Sequence, residues 1–226
     1  MLLDALGTLL RLEPPAPRLR AALQARAGVD VGGEAAVAAI RAEIAFYRAH
    51  LHEGGDAAGL ADLRRRAADA MRPALPPGAA GLPSDMLVPA LLDALEFTPF
   101  SDVPPALAAL RARGFALVVV SNWDVSLHER LAETGLRALV DGAVASAELG
   151  VAKPDPAIFH HALALVGAEP EGSWHVGDTP DVDVAGALAA GLRPVLVARD
   201  EVGGSPDVPV VRDLGALAGL IRAGAS

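Results

Sequence analysis

The sequence predicts an α/β protein: a Rossmann-like parallel sheet flanked by helices, with an all-helical domain inserted into it. Three apolar runs, residues 1–3, 116–120 and 174–176, are short and uninterrupted, and small or acidic polar residues follow each. Unbroken apolar strands belong to parallel sheets covered on both faces, and ligands of such sheets gather at the strands' carboxyl ends. More than a hundred residues separate the first run from the second. A single crossover needs far fewer, so a domain is inserted there.

The first strand ends at Asp4, followed by Ala5, Leu6, Gly7 and Thr8. Gly7 permits a tight turn. Only three residues precede Asp4, short for a central strand, so either the native start lies upstream or the strand frays at its beginning. Pro14, Pro15 and Pro17 open the insertion, which reads as helices over 18–27, 33–51, 59–71 and 86–96, broken by prolines and glycines between 73 and 83. The expected boundaries are 1–15 and 96–226 for the α/β core and 16–95 for the helical domain. In the second helix Glu43, Tyr47 and His50 recur at helical spacing. They form either a face turned toward the core or the flank of an amphipathic helix packed through Ile40 and Phe46. Residues 64–66, three consecutive arginines, read as a solvated helix face.

The core resumes after Phe100 with a helix opened by Pro104 and Pro105, a favoured first-turn position. The strand over 116–120 ends in Ser121 and Asn122, and Trp123 beside them would border the mouth of a site. Residues 142–146, 194–198 and 208–211 supply further strands. Lys153 is the only lysine in the chain and sits between a predicted strand and the helix start at Asp155-Pro156. An ammonium on a flexible stem suits a phosphate or carboxylate in a way the planar arginine fork does not; the alternative is plain surface charge. The third run leads into Asp178, Asp181 and Asp183, where Asp178 also suits a helix cap. His128, His160, His161 and His175 show no metal-ligand spacing and read as structural. His175 is expected to face away from the acidic residues.

The ordered set Asp4, Ser121, Lys153, then Asp178 with Asp183, resembles the haloacid dehalogenase superfamily of aspartate-nucleophile hydrolases, in its phosphatase type with a helical cap after the first motif. The resemblance implies Asp4 and Lys153 as catalytic residues, and Ser121, Asn122, Trp123 and Lys153 as the substrate or phosphate site. It implies Mg2+ held by Asp4, the backbone carbonyl of Leu6, Asp178 and Asp183, with Asp183 also suited to orient Lys153. Phosphate esters resist anionic nucleophiles, so such a site works by neutralising charge and aligning attack, and Mg2+ takes hard oxygen ligands. The helical domain would close over the site and set substrate choice.

Leu6 departs from this pattern. Phosphatases of the family usually place a second aspartate there to protonate the leaving alcohol, help worth on the order of 10² to 10⁴ in rate. Weak phosphatase activity is therefore expected. Two alternatives stay open: a metal-independent 2-haloacid dehalogenase, and a catalytically impaired binding or regulatory protein.

Composition narrows the partners. The chain has 226 residues, 52% of them hydrophobic through abundant alanine, and only 4% aromatic. A formal net charge of -9 disfavours nucleic acid and anionic membranes. Cysteine is absent, which removes disulfides and thiol chemistry. No apolar stretch approaches the roughly 18 residues of a membrane span. The expectation is a cytoplasmic monomer or homodimer acting on a small phosphorylated metabolite.

Overall fold

The structure, a computed structural model, describes residues 1–199 and 208–223; the rest of the core segment expected to reach 226 lies outside the described residues. The chain divides into two compact units, one of Met1–Arg11 with Pro99–Ser226 and one of Leu12–Thr98.

The first unit carries a six-stranded sheet of β1 (Leu2–Leu3), β4 (Val118–Ser121), β5 (Gly142–Ala145), β6 (Trp174–Gly177), β7 (Arg193–Val197) and β8 (Val210–Val211), while β2 (Leu10–Leu12) and β3 (Phe97–Pro99) pair as a separate ribbon. The sheet order is β5-β4-β1-β6-β7-β8, and its five pairings are all parallel. β1 is thus central, with Leu2 and Leu3 in register with Val118 and Val119 on one side and His175 and Val176 on the other. The expected fraying does not occur. The terminal ammonium donates to the Ala116 carbonyl at 2.7 Å, Val118 N–H to the Met1 carbonyl at 3.0 Å, and Asp4 N–H to the Val176 carbonyl at 2.9 Å. Ladder bonds on both edges hold the strand from its first residue to Asp4.

Helices cover the sheet because crossover connections between parallel strands must return along its faces. Leu2, Val118 and Val120 pack with Ile158, Phe159, Ala162 and Leu163 in one continuous cluster. The strand expected from 116 starts at Val118 because Leu117 N–H donates to the Asp141 carboxylate at 2.8 Å rather than to a ladder partner.

The second unit is helical: α1 (Pro15–Ala27), α2 (Gly33–His50), α3 (Ala57–Met71), α4 (Pro77–Ala80) and α5 (Ser84–Ala94). Three of these, α1, α3 and α5, begin earlier than the apolar pattern suggested. Pro15 sits at the start of α1, and Asp56 caps α3 by accepting from Gly59 N–H at 2.8 Å. Alanine packs between leucines in its core, where Ala36, Ala39, Ala68, Ala79 and Ala90 are fully buried beside Leu19, Leu23, Met71 and Leu87. No described helix is long and apolar enough to cross a membrane.

Candidate active site

Four strand ends converge. Asp4 follows β1, Ser121 ends β4, Gly177-Asp178 ends β6, and Lys153 stands in the connection after β5. Parallel packing puts all these carboxyl ends on one edge of the sheet, so residues far apart in sequence meet without any local signal between them.

Lys153 Nζ donates to Asp4 Oδ1 and to Asp183 Oδ1, both at 2.6 Å, and Ser121 Oγ donates to Asp4 Oδ1 at 3.2 Å. Both of these bonds to Asp4 therefore land on Oδ1 rather than Oδ2. Lys153 is 4% exposed and Asp4 6%. A buried ammonium is stable only with such partners. Burial alone would lower the Lys153 pKa, but Asp4 and Asp183 hold it above the usual lysine value, and the group stays charged. Burial also pushes the Asp4 carboxyl up, Lys153 opposing and Asp183 and Asp178 adding to the rise.

Asp183 is fully committed. Its Oδ1 receives Lys153 and His175 Nε2 at 2.9 Å, and its Oδ2 receives Thr179 N–H at 3.0 Å. Burial would raise its pKa, yet the His175 hydrogen bond and the Lys153 charge hold it well below the ordinary carboxylate value. These bonds make Asp183 the support of Lys153. His175 is the main correction to the expectation from sequence. It does not face away from the acidic residues but hydrogen-bonds one of them, and burial lowers its pKa against the opposing pull of the Asp183 bond. Phe159 meets its ring edge-on at 4.9 Å.

A glycine makes the His175–Asp183 contact possible. In a strand, residues two apart share a face, so His175 and Gly177 point the same way. A Cβ on Gly177 would lie 2.2 Å from Asp183 Cγ; its absence opens the path. Asp183 itself comes from a π-turn, Pro180–Val184, which follows β6 and runs into the helix Ala185–Ala189.

Gly7 is the second glycine with a defined task. Its φ is +85°, and a Cβ there would stand 2.0 Å from Asp178 Oδ2. Asp178 thus lies against the turn that follows Asp4. One carboxylate oxygen each from Asp4, Asp178 and Asp183 falls within a span of 4.8 Å. Three carboxylates against one ammonium leave two negative charges uncompensated, and burial with the Asp183 charge pushes the Asp178 pKa up. Hard oxygens and excess negative charge fit a divalent cation such as Mg2+.

The other expected site residues divide. The Asn122 amide accepts from Lys153 N–H at 2.8 Å and donates to the Lys153 carbonyl at 2.9 Å, so it fixes the lysine's backbone. Trp123 is buried, and its N–H donates to Ser146 Oγ at 3.2 Å. The Leu6 side chain is 40% exposed. The adjacent bridge to Leu10 uses the Ala5 carbonyl and Gly7 N–H, so the Leu6 carbonyl takes no part in it. Arg199 escaped the sequence reading, having no motif around it. It reaches the Gly7 and Thr8 carbonyls and pairs with Asp102.

Comparisons with known proteins agree with this geometry. A family profile described as haloacid dehalogenase-like hydrolase matches residues 1–191. Haloacid dehalogenase-like hydrolase domain-containing protein 3 of Bos taurus is 43% identical over 107 residues, 47% of this chain and 41% of that protein. Glyceraldehyde 3-phosphate phosphatase of Methanopyrus kandleri is 40% identical over 102 residues, 45% of this chain and 44% of that protein. The chain spans less than half the length of these curated relatives. Among solved structures, a 2-haloacid dehalogenase from Pseudomonas syringae pv. Tomato DC3000 superposes with a TM-score of 0.67 at 24% identity, covering 99% of this chain and 98% of that one, a likeness of fold. With its four strand-end residues assembled as described and the family profile covering residues 1–191, the chain belongs to the haloacid dehalogenase-like hydrolases.

Proposed function

We propose that this hydrolase is a Mg2+-dependent phosphatase of a small phosphorylated metabolite, acting through an aspartyl-phosphate on Asp4. The observation that carries this is the asymmetry of the Asp4 carboxylate: Lys153 and Ser121 both bind Oδ1, which leaves Oδ2 as the oxygen to attack. The M. kandleri relative, named a phosphatase, supports the same class.

Asp4 Oδ2 forms the new bond to phosphorus as the bond to the leaving oxygen breaks. Lys153 stays within reach of both the nucleophile and the incoming negative charge, and Asp183 with His175 keeps it in place. Bound at Asp4, Asp178 and the Leu6 carbonyl, Mg2+ would neutralise charge on the transferred phosphoryl group. Leu6 offers no proton, so the leaving oxygen takes one from solvent or departs as a stable anion. Water then attacks phosphorus, freeing phosphate and regenerating the Asp4 carboxylate. The helical unit Leu12–Thr98 is proposed as the cap that governs which metabolite enters.

The test is phosphate release from a metabolite panel with and without Mg2+. Chelation and Asp178→Ala should each abolish release. Halide release from 2-haloacids that persists in excess chelator would reassign the protein to metal-free dehalogenation, the reading that the missing acid at Leu6 favours.

A further inference from the structure

We propose that Arg199, braced by Asp102 and Phe100, is a positioning residue that fixes the Gly7–Thr8 turn so that Asp178 can close on it to complete the cation site. The inference rests on the proposed function for its chemistry but not for its geometry. Arg199 Nε donates to the Gly7 carbonyl at 3.2 Å and Nη2 to the Thr8 carbonyl at 2.6 Å. The other edge of the fork meets Asp102, Nη1 to Oδ1 at 2.9 Å and Nη2 to Oδ2 at 3.2 Å. The guanidinium carbon stands over the Phe100 ring, 3.6 Å from its centroid. Asp102 is held in turn by Leu214 N–H at 2.8 Å.

Several features separate this from an incidental surface pair. Two consecutive carbonyls of one turn are taken by one rigid side chain, which sets the peptide plane between Gly7 and Thr8 rather than merely anchoring a loop. That plane belongs to the residue whose φ of +85° and missing Cβ admit Asp178 Oδ2. Rotation of the plane would move the backbone against which Asp178 rests, and with it the gap between Asp178 and Asp4. Neither partner is freely solvated, the Arg199 side chain being 12% exposed and that of Asp102 20%. Lysine could not replace the arrangement, since one ammonium cannot span two carbonyls and a bidentate carboxylate together.

The experiment measures Mg2+ binding calorimetrically without substrate, alongside turnover of acetyl phosphate, for wild type, Arg199→Ala, Arg199→Lys and Asp102→Asn. Arg199→Ala should weaken Mg2+ binding about tenfold or more and lower kcat by a similar factor, because a displacement near 1 Å costs up to about 10² in such sites. KM for acetyl phosphate should stay within about twofold, since the phosphate-holding residues Ser121 and Lys153 are untouched. Millimolar guanidinium added to Arg199→Ala should restore part of the Mg2+ affinity, an effect that a purely structural loss would not show. Asp102→Asn should lose less, as its amide oxygen still accepts from the fork. Should Arg199→Ala fail to fold, Arg199→Lys and Asp102→Asn carry the same comparison, with weakened Mg2+ binding expected in both. Wild-type Mg2+ affinity in every folded variant overturns the proposal, as does a wild-type protein that binds no Mg2+. A wild type that binds Mg2+ yet releases phosphate from no substrate overturns the proposed function and leaves the Arg199 comparison readable.

Discussion

Replacing Gly7 by alanine tests whether the turn after Asp4 exists to admit Asp178. Ordinary contact with a Cβ begins at 3.4 Å, whereas Asp178 Oδ2 would stand at 2.0 Å, so the carboxylate must withdraw by 3.4 − 2.0, about 1.4 Å. Misplacement on that scale is worth roughly 10² in rate. Alanine also has to adopt φ +85°, at a cost of about 1–2 kcal/mol. Gly135 isolates the second effect: its φ is +73° and nothing lies within 4 Å of its would-be Cβ. Gly135→Ala should lower the melting temperature by roughly 2–8 °C and leave turnover unchanged. Gly7→Ala should do the same to stability, lose about 10² in kcat and bind Mg2+ more weakly. Circular dichroism melts, Mg2+ titration and phosphate release on both proteins decide the matter. Equal activity in the two variants would refute the claim that Asp178 depends on this glycine.

Three further outcomes are expected. Lys153→Arg should lose on the order of 10² or more in kcat, because a branched guanidinium cannot meet two carboxylates now 2.6 Å from a single nitrogen; wild-type turnover would mark Lys153 as plain charge. Leu6→Asp should raise hydrolysis of alkyl phosphates about tenfold or more while leaving aryl and acyl phosphates little changed, since the position is exposed enough to keep a carboxylate hydrated; no gain would mean another group already supplies the proton. Burial pushes the Glu43 carboxyl from 4.5 to about 7, so the folded state holds a proton that the unfolded state releases, and stability is full below pH 4.5 and falls as pH rises to 7. Glu43→Gln should remove about 3 kcal/mol of that slope, and denaturant titrations at pH 4.5 and 7.5 that give parallel changes in both proteins would contradict the assignment.

The parts of the site that could be read from sequence are those where one strand delivers one residue. Asp4, Ser121 and Asp178 each follow an apolar run, and Lys153 is conspicuous as a lone lysine, so the sheet's polarity alone brings them together. His175 departs from expectation because its environment depends on a neighbour with no side chain. Strict alternation does place it on the face of Gly177, and that shared face was the available signal for its bond to Asp183. Arg199 and Asp102 had no signal at all: each is an isolated charge in an irregular segment, and their pairing exists only once β7 and the returning chain near Phe100 are adjacent. Helix starts failed for a simpler reason, since Pro15 and Asp56 act through backbone geometry that hydrophobic periodicity does not register.

The position of β1 has a consequence for how the protein comes into being. Its two residues pair with Val118 and Val119 on one side and with His175 and Val176 on the other. On a ribosome β1 is made before the strands it pairs with, so it has no partner until β4 is made and no second partner until β6 is made. The helical unit Leu12–Thr98, with its own core, is synthesised entirely within that interval and can condense while Asp4 waits. Pairings this distant in sequence form slowly, because their loops must close before any contact rewards them. Asp4 and Lys153, 149 residues apart, meet only after that long loop closes, and the appearance of activity during refolding should lag the appearance of helix.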